Sequence, residues 1–400
     1  PVAAERNGQT VFAGLREDVT LDGNKNPVRA DYTLVELNTP AGAASPPPTA
    51  APAPVPSSPG GGPLVPANSP GATTNAAPSS PGAFAAATGA TPGAATTVVV
   101  YRSDATIDFT ITPFGADYSG GARVARGDVT GDGVPDVVVG SGGGIQARVR
   151  IWDGATRQLI FDTIPFENFT GSVEVATADF DRDGKADIVV APGEGGGPRL
   201  QVWAGGTRQK MVPDFFGLPY PDFRGGVRVA AGDINRDGVA DLVVAPGAGG
   251  GPRLTVYDGA TMAAGKPRQI VNDFFVFDES VRTGVYLAVG DVDGDGFADV
   301  VAGAGAGGAP RVRVVSGAAL AAGRSDVALA DFFAGDPNQR AGARVATAKL
   351  DGDNRADILA GTAFSDVDLI YGESVRLDPD PTPGGVVRVF NGYADAVYVG

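Results

Sequence analysis

The sequence predicts an all-β fold: a β-propeller of about six four-stranded antiparallel blades, preceded by an extended segment rich in Pro, Ala and Gly. Three observations support this prediction. The 400 residues include 60 Gly and 32 Pro, so turns are frequent and long helices are not expected. A segment like GDINRDGVADLVVA (232–245) occurs five times, at intervals of about 50 to 60 residues. Each interval has room for four short strands, which make one blade.

Residues 1–37 form a short N-terminal segment with two apolar stretches, 10–14 and 32–37. Turn-forming residues separate the stretches, among them Asp22 and Gly23. The segment is too short to bury a core of its own. We therefore expect either a hairpin or the end of an upstream domain.

The next segment, residues 38–83, is uncharged and rich in Pro. No charged residue occurs between Glu36 and Arg102. Such a composition buries little and favours extended conformations, which predicts a semi-rigid linker. The chain begins at Pro1 without an initiating Met, so we expect a processed product or a fragment.

The repeats predict one strand pattern throughout. A short apolar alternation such as 227–230 enters the repeated loop, and a β-branched run such as 241–245 leaves it. A glycine-rich turn (246–253), a third strand (254–257) and an aromatic fourth segment (273–278) follow. The five copies are 127–140, 178–191, 232–245, 290–303 and 348–361.

The propeller is expected to span residues 84–400 and to close on itself. Residues 84–101 align with a second strand, glycine loop and third strand, and residues 107–114 supply a fourth strand. The missing inner strand resembles residues 396–400. We expect that segment to complete the first blade, since closure removes an exposed sheet edge.

The repeated loop carries oxygen-bearing side chains at its positions 1, 3, 5 and 9. Alternate residues of a tight turn point inward, and the carbonyl of position 7 adds another oxygen, which suits the six to eight oxygen ligands of calcium. The side chains are Asp128, Thr130, Asp132 and Asp136; Asp179, Asp181, Asp183 and Asp187; Asp233, Asn235, Asp237 and Asp241; and Asp291, Asp293, Asp295 and Asp299. The carbonyls at position 7 belong to Val134, Lys185, Val239 and Phe297. The pattern predicts about four good Ca²⁺ sites.

These loops differ from an EF-hand, which needs a bidentate Glu at position 12 and flanking helices. Position 12 holds Val139, Val190, Val244 or Ala302, inside a β-branched run. The loops are therefore expected to lie on β-hairpins.

The fifth loop departs from the pattern. Lys349 occupies position 1 and Asn354 replaces the glycine of position 6, leaving Asp351, Asp353 and Asp357. Asn tolerates a left-handed turn, but an ammonium group replaces a carboxylate. We expect a weak or empty site in which the lysine partly substitutes for the ion.

The loops and their spacing resemble FG-GAP repeats, the calcium-binding blades of integrin alpha-subunit head domains and of many bacterial surface proteins. The phrase GGGPRLTVYDGAT (249–261) resembles the version found in large secreted bacterial proteins. The resemblance covers residues 84–400 and implies a calcium-stabilised propeller used for adhesion, assembly or ligand display. The implied location is extracellular, at the cell surface or in the periplasm of a bacterium.

Composition excludes several kinds of chemistry. The chain has no Cys and no His, which excludes disulfides, thiol nucleophiles, imidazole bases and His-ligated metals. The net charge of −15 argues against nucleic-acid partners. No apolar run is long enough to span a membrane.

Two further residue types recur in the repeats. Asp-Phe-Phe occurs at 214–216, 273–275 and 331–333, and we expect these aromatics to pack between blades rather than to form a glycan platform. An arginine follows each glycine-rich loop, and we expect it to pair with a nearby Asp rather than to ring one face. The four arginines are Arg148, Arg199, Arg253 and Arg311.

Residues 362–385 are expected to be an insertion that lengthens the loop between the second and third strands of the last blade. Loops displayed on a rigid scaffold concentrate binding residues, so this segment is either a partner-contact site or a solvated hairpin. The candidate contact residues are Asp366, Asp368, Tyr371, Glu373 and Arg376.

The function predicted from these features is non-enzymatic: an extracellular calcium-stabilised propeller that acts as a scaffold, adhesion or protein-docking module. Its partner would be another protein or a surface glycan, and the N-terminal segment would join it to a larger assembly. The alternatives are a lectin-like propeller and a polysaccharide lyase or glycosidase that uses carboxylates.

Overall fold

The computed structural model describes residues 84–102, 105–362, 366–389 and 397–400, together with the backbone of three N-terminal strands. The predicted linker, 38–83, lies outside the described residues. The N-terminal strands are β1 (Val2–Arg6), β2 (Gln9–Leu21) and β3 (Pro27–Glu36). They form an antiparallel sheet in the order β1-β2-β3 and belong to a unit separate from the propeller.

Six four-stranded antiparallel sheets make up the second unit, which confirms the predicted all-β propeller. Blades two, three and four contain β7 (Ala122–Gly127) to β10 (Leu159–Thr163), β11 (Val173–Ala178) to β14 (Phe215–Phe216), and β15 (Val227–Gly232) to β18 (Gln269–Phe275). Their other strands are β8 (Asp136–Ser141), β9 (Val149–Trp152), β12 (Asp187–Pro192), β13 (Arg199–Trp203), β16 (Asp241–Pro246) and β17 (Arg253–Tyr257).

Blades five and six continue the same order. They contain β19 (Val285–Gly290), β20 (Asp299–Ala304), β21 (Arg311–Val315) and β22 (Ala328–Phe333), then β23 (Arg344–Ala348), β24 (Asp357–Gly361), β25 (Asp366–Ile370) and β26 (Gly385–Arg388). Three short helices follow the third strands of blades four, five and six: α1 (Gly259–Ala263), α2 (Gly317–Ala321) and α3 (Gly372–Leu377).

The first blade is completed as the sequence predicts. It consists of β4 (Phe84–Thr88), β5 (Val98–Tyr101), β6 (Ile107–Ile111) and β27 (Val397–Val399), in the order β27-β4-β5-β6. Val397 pairs with Thr88, and β27 contacts the inner strands of both neighbouring blades. The inner strands thus form a closed ring, in the order β7, β11, β15, β19, β23 and β27.

The core lies between neighbouring blades. The second strand of each blade is buried along its whole length because it packs on both faces; β16 is an example. One apolar cluster of described residues fills each of the six interfaces, such as the cluster that joins Val243 and Leu254 of blade four to Val285 and Val300 of blade five. Small and β-branched residues dominate these strands, as the sequence pattern indicates.

The Asp-Phe-Phe repeats divide between two roles. The first Phe packs into an interface, with Phe332 only 2% exposed. The second lies on the surface, and Phe216, Phe275 and Phe333 are 55%, 40% and 46% exposed. The expectation of packing therefore holds for the first ring of each pair and is wrong for the second.

The predicted insertion at 362–385 is wrong. Residues 366–370 are β25, the third strand of blade six, and its register with β24 pairs Ile370 with Ile358. Three of its side chains are buried, those of Val367, Leu369 and Ile370. The acidic residues of the strand interrupt the apolar pattern, so the sequence analysis did not recognise it. Residues 372–377 are α3, and residues 385–388 are the fourth strand.

The proposed contact residues are consequently not on a displayed loop. Asp366 and Asp368 belong to β25, and Asp368 is only 8% exposed. Tyr371 is the residue that precedes α3. Glu373 and Arg376 lie on α3 and form an ion pair of 2.5 Å with each other. A role of these five residues in partner contact stays a prediction.

Candidate metal centres

The five acidic loops lie at one end of the inner strands, where each loop connects the first strand of a blade to the second. The aspartate at position 9 opens the second strand and is fully buried. These residues are Asp136, Asp187, Asp241, Asp299 and Asp357, all 0% exposed. The glycine-rich loops between second and third strands lie at the opposite end, because the strands are antiparallel.

The position-9 aspartate ties its loop to the segment that follows the third strand. Asp187 shows the arrangement: its Oδ2 accepts a hydrogen bond of 2.8 Å from the N–H of Phe180, and its Oδ1 accepts one of 2.8 Å from the N–H of Gly205. The other four loops repeat the second bond, with Gly154, Gly259, Gly317 and Gly372 as donors. In each of blades two to six, one carboxylate thus links the start of the second strand to the segment after the third.

Our sequence reasoning missed these donor glycines, although a glycine at the same point of every repeat was a usable signal. At Gly259, a Cβ would lie 1.8 Å from the carbonyl oxygen of Ala240. At Gly317, it would lie 2.1 Å from the carbonyl oxygen of Ala298. Only glycine permits this close approach of two backbones.

The position-1 aspartate accepts hydrogen bonds from the backbone of its own loop. In the second loop, Asp179 Oδ2 accepts a bond of 3.0 Å from Gly184, whose φ of +83° requires glycine. The other oxygen, Asp179 Oδ1, is buried and has no hydrogen-bond partner. A buried carboxylate oxygen without a partner is costly unless a cation contacts it.

Carboxylates converge in two of the loops. Oxygens of Asp179, Asp181 and Asp187 lie within 4.8 Å of one another, as do oxygens of Asp291, Asp293 and Asp299. These are positions 1, 3 and 9. In the first and third loops position 3 is Thr130 or Asn235, so only two of these three positions carry a carboxylate.

The position-5 aspartates have a different role from those at positions 1, 3 and 9. Asp183 and Asp295 lie outside the two clusters. In every loop the position-5 carboxylate accepts a hydrogen bond of 2.8 Å from the backbone N–H of position 7. The donors are Val134, Lys185, Val239, Phe297 and Arg355, and the acceptors are Asp132, Asp183, Asp237, Asp295 and Asp353. This bond shapes the turn that carries the position-7 carbonyl.

The electrostatics of the loops favour a cation. Burial raises the pKa of Asp187, Asp241 and Asp299 to about 7, against the opposing effect of their backbone hydrogen bonds. Neighbouring carboxylates of the same loop raise these pKa values further. Burial also raises the pKa of Asp179 and Asp291. A bound divalent cation would reverse these effects by stabilising the charged forms.

The donor set fits calcium. The converging ligands are all oxygens, which calcium and magnesium prefer, and the loop offers carboxylates that accept one or two contacts each. In the second loop, Asp179, Asp181 and Asp187 would hold the ion. The bound ion would link the start of the loop, at Asp179, to its end, at Asp187, by electrostatic attraction.

The fifth loop differs in its charges and in its backbone. Arg355, at position 7, forms an ion pair of 2.8 Å with Asp353, whereas Lys349 forms no ion pair with any described residue. In the structure, therefore, the guanidinium of Arg355 pairs with a carboxylate of this loop. We had expected the ammonium of Lys349 to do so. Asn354 is not among the described residues with positive φ, so it does not adopt the left-handed conformation of the glycines that it replaces.

Neighbouring loops are also linked to each other. Arg182 of the second loop donates to the carbonyls of Asp237 and Gly238 in the third. In the fifth loop, Arg355 Nε donates to the carbonyl of Asp293 in the fourth at 3.3 Å. The second loop is thus linked to the third, and the fourth to the fifth.

The arginines that follow the glycine-rich loops form local ion pairs, as expected. Arg148 pairs with Asp162 at 2.5 Å, and Arg311 pairs with Asp331 at 2.6 Å. Arg253 pairs with Asp273 in the same way. Arg199 and Asp214 are 3.6 Å apart. These side chains therefore hold outer strands together instead of forming a basic ring.

Comparisons with known proteins agree with the repeat pattern. A family model described as FG-GAP-like repeat matches residues 128–190 and 179–244, and one described as FG-GAP repeat matches residues 284–321. No curated protein sequence matches the chain.

Among solved structures, a chain of a nidogen/laminin complex is similar with a TM-score of 0.50 and 8% identity, over 80% of this chain and 98% of that chain. Rhamnogalacturonan lyase YesW has a TM-score of 0.40 and 14% identity, over 76% of this chain and 60% of its own. A rhamnogalacturonan lyase of Bacillus licheniformis also has a TM-score of 0.40 and 14% identity, over 70% of this chain and 58% of its own. The chain therefore spans less than two thirds of the length of these lyases.

Proposed function

Because the chain carries FG-GAP repeats arranged as a six-bladed propeller, we propose that it is a calcium-stabilised, non-enzymatic module that docks to another macromolecule outside the cell. The observation that carries the proposal is the second loop. Three carboxylates converge there, and one buried oxygen, Asp179 Oδ1, has no hydrogen-bond partner.

The loops act as stabilisers in this proposal. Asp187 holds two segments of backbone by hydrogen bonds, and Asp179 and Asp181 bring further negative charge beside it. Without a cation these charges oppose folding, since burial penalises each of them. Bound calcium supplies the missing positive charge and so favours the folded ring.

A docking role, as opposed to catalysis by carboxylates, is supported by the positions of the grouped carboxylates. The grouped carboxylates of the described residues are those of the loops, which the metal proposal already uses. We therefore favour a docking module over a lyase or a glycosidase that uses carboxylates. The partner is a protein, or a glycan at a surface.

An extracellular location is supported by the chemistry of the sites. Extracellular calcium modules bind at about 10⁻⁴ to 10⁻³ M, close to the calcium concentration outside cells. No helix in the described part of the chain is long and apolar enough to cross a membrane.

The experiment that tests the proposal is thermal unfolding in calcium and in EDTA, together with calcium counting by equilibrium dialysis. At ten times the dissociation constant each site contributes about 1.4 kcal/mol, so four sites contribute roughly 6 kcal/mol. We expect EDTA to lower Tm by roughly 10 °C and dialysis to count four ions. Magnesium serves as the control, because it accepts this irregular oxygen geometry less readily. A Tm unaffected by EDTA, with no calcium retained, would refute the proposal.

A further inference from the structure

The opposite end of the inner strands carries a second unusual group of side chains. One large residue at the first or second position of each inner strand lines the central cavity of the ring, which has a volume of about 280 Å³. In order around the ring, these residues are Arg123, Glu174, Arg228, Tyr286, Arg344 and Tyr398. We call them the channel ring. They lie one strand length away from the acidic loops.

Positive charge exceeds negative charge in this cavity. The side chains that line it include four arginines, the three of the channel ring and Arg126, but a single acidic side chain, that of Glu174. This local excess occurs in a protein whose net charge is −15. The cavity is therefore a basic site enclosed in an acidic molecule.

Glu174 is already paired. It lies between Arg123 and Arg228 in the ring, and each guanidinium is 3.0 Å from its Oε1. Arg123 Nε donates a hydrogen bond to that oxygen, but Arg228 Nη1 is not aligned to donate one. One carboxylate thus serves two buried cations.

Arg344 stands opposite Glu174 and has no such partner. It is 6% exposed and forms no ion pair with any described residue. Its guanidinium lies over the rings of Tyr286, at 4.9 Å, and Tyr398, at 4.7 Å. Nη1 donates to the carbonyl of Ala341 at 3.2 Å, whereas the buried Nε has no hydrogen-bond partner.

A buried guanidinium without an anion is costly, and stacking on aromatic faces offsets only part of that cost. Carboxylates match the planar donor fork of arginine. Next to the channel ring, one residue further along the inner strands, the cavity is lined by apolar residues, among them Val175, Val229 and Val345. That lining suits a carboxylate on an aliphatic stem better than a hydroxyl-rich sugar acid.

We propose that the channel ring binds the carboxylate of an acidic side chain, of the glutamate type, from a protein partner, with Arg344 as its principal cation. The choice of a protein as the source rests on the proposed docking function, whereas the carboxylate site rests on the ring itself. The site is independent of the acidic loops, since it lies at the other end of the strands.

Tyr398 provides a spectroscopic reporter for this site. Burial raises its pKa, but the charges of Arg123 and Arg344 outweigh that effect and lower the pKa to about 8. Glu174 opposes and Arg228 assists this lowering, while burial raises the pKa of the neighbouring Tyr286. A carboxylate bound at Arg344 would offset the guanidinium charge and move the pKa of Tyr398 back towards 10.

The test uses the calcium-loaded full chain and N-acetyl-glutamate α-amide as the probe, with N-acetyl-glutamine amide as its neutral isostere. Isothermal titration measures binding, and absorbance near 295 nm follows tyrosine ionisation, with Tyr398→Phe identifying the transition near pH 8. We expect binding of the glutamate probe, at least tenfold weaker binding of the isostere, and an upward shift of the Tyr398 transition.

Arg344→Met should weaken binding of the glutamate probe at least tenfold, while Arg148→Met, in an outer ion pair, should leave it unchanged. If Arg344→Met does not fold, Arg344→Lys keeps the charge but loses the fork and should still weaken binding. Equal binding of the two probes, or stronger binding of glucuronate or inorganic phosphate than of glutamate, would overturn the proposal. Four bound calcium ions without glutamate binding would sink the carboxylate site and leave the calcium proposal intact.

Discussion

The second and fifth loops share one framework and differ in their charges. Asp187 and Asp357 are both fully buried and accept the same two kinds of backbone hydrogen bond. Position 1 is Asp179 in the second loop but Lys349 in the fifth. At position 6, Gly184 has a φ of +83°, whereas its counterpart Asn354 does not adopt a positive φ.

The comparison shows that different positions of the acidic loop have different roles. Position 9 fastens the loop to the blade, and this is retained even where the rest of the motif has changed. Positions 1 and 3 supply charge that a cation needs, and the fifth loop keeps Asp351 at position 3 but has Lys349 at position 1. A blade can therefore keep the backbone hydrogen bonds of position 9 without a carboxylate at position 1.

The largest effect is expected for Asp187→Asn in calcium. The amide nitrogen cannot accept one of the two backbone bonds, a loss of about 2 kcal/mol, and the calcium contribution of about 1.4 kcal/mol also disappears. Asp357→Asn is the matched control and should lose only the first amount. Tm with and without EDTA measures both, and the two variants should become equal in EDTA. A larger loss for Asp357→Asn in calcium would break the comparison.

A smaller effect of opposite sign is expected for the double variant Lys349→Asp and Asn354→Gly. It restores the carboxylate of position 1 and the glycine of position 6, so the fifth loop should bind calcium. Equilibrium dialysis should count one additional ion, and saturating calcium should add about 1.4 kcal/mol of stability at ten times the dissociation constant. An unchanged ion count would show that other residues of the loop, Arg355 in particular, prevent binding.

The smallest effect is expected for Arg355→Met. The variant removes partly exposed ion pairs with Asp353 and Glu373 and a hydrogen bond to the backbone carbonyl of Asp293, and it should lower Tm by about 2 °C at most. The loss should be nearly the same in calcium and in EDTA. The ion pairs of Arg355 involve no residue of the four loops that are expected to bind calcium well, and its bond to Asp293 uses the backbone carbonyl and not the carboxylate. Lys185→Met is the control at the same position of the second loop, where the ammonium is 3.9 Å from Asp183. A calcium-dependent loss for Arg355→Met would contradict this assignment.

The blades and their closure could be predicted because the signal is repeated. Five copies fix the positions of the loops and strands, and residues 396–400 resemble an inner strand such as Val285–Gly290 closely enough to be placed. The ligand roles of the loop residues stay predictions. The third strand of blade six was missed because Asp366 and Asp368 interrupt its apolar pattern, while burial of Val367 and Leu369 decides its position.

The channel ring could not be found by the same reasoning. Its residues are of three types and stand in different repeats, so no local motif joins Glu174 to Arg344. Only closure of the ring brings them around one cavity. A usable signal was present, since an Arg, Glu or Tyr recurs at the first or second position of strands otherwise made mostly of small apolar residues.

Closure of the first blade also constrains the order of events during synthesis. Blades two to six are built from neighbouring segments, so each sheet can pair soon after it leaves the ribosome. The edge of β4 must wait for β27, which follows it by roughly 300 residues, so the contact is among the slowest to form. Until then β4 presents an unpaired apolar edge to other nascent chains. Chaperone demand and aggregation should therefore concentrate in this interval, and both should fall once Val397–Val399 emerge.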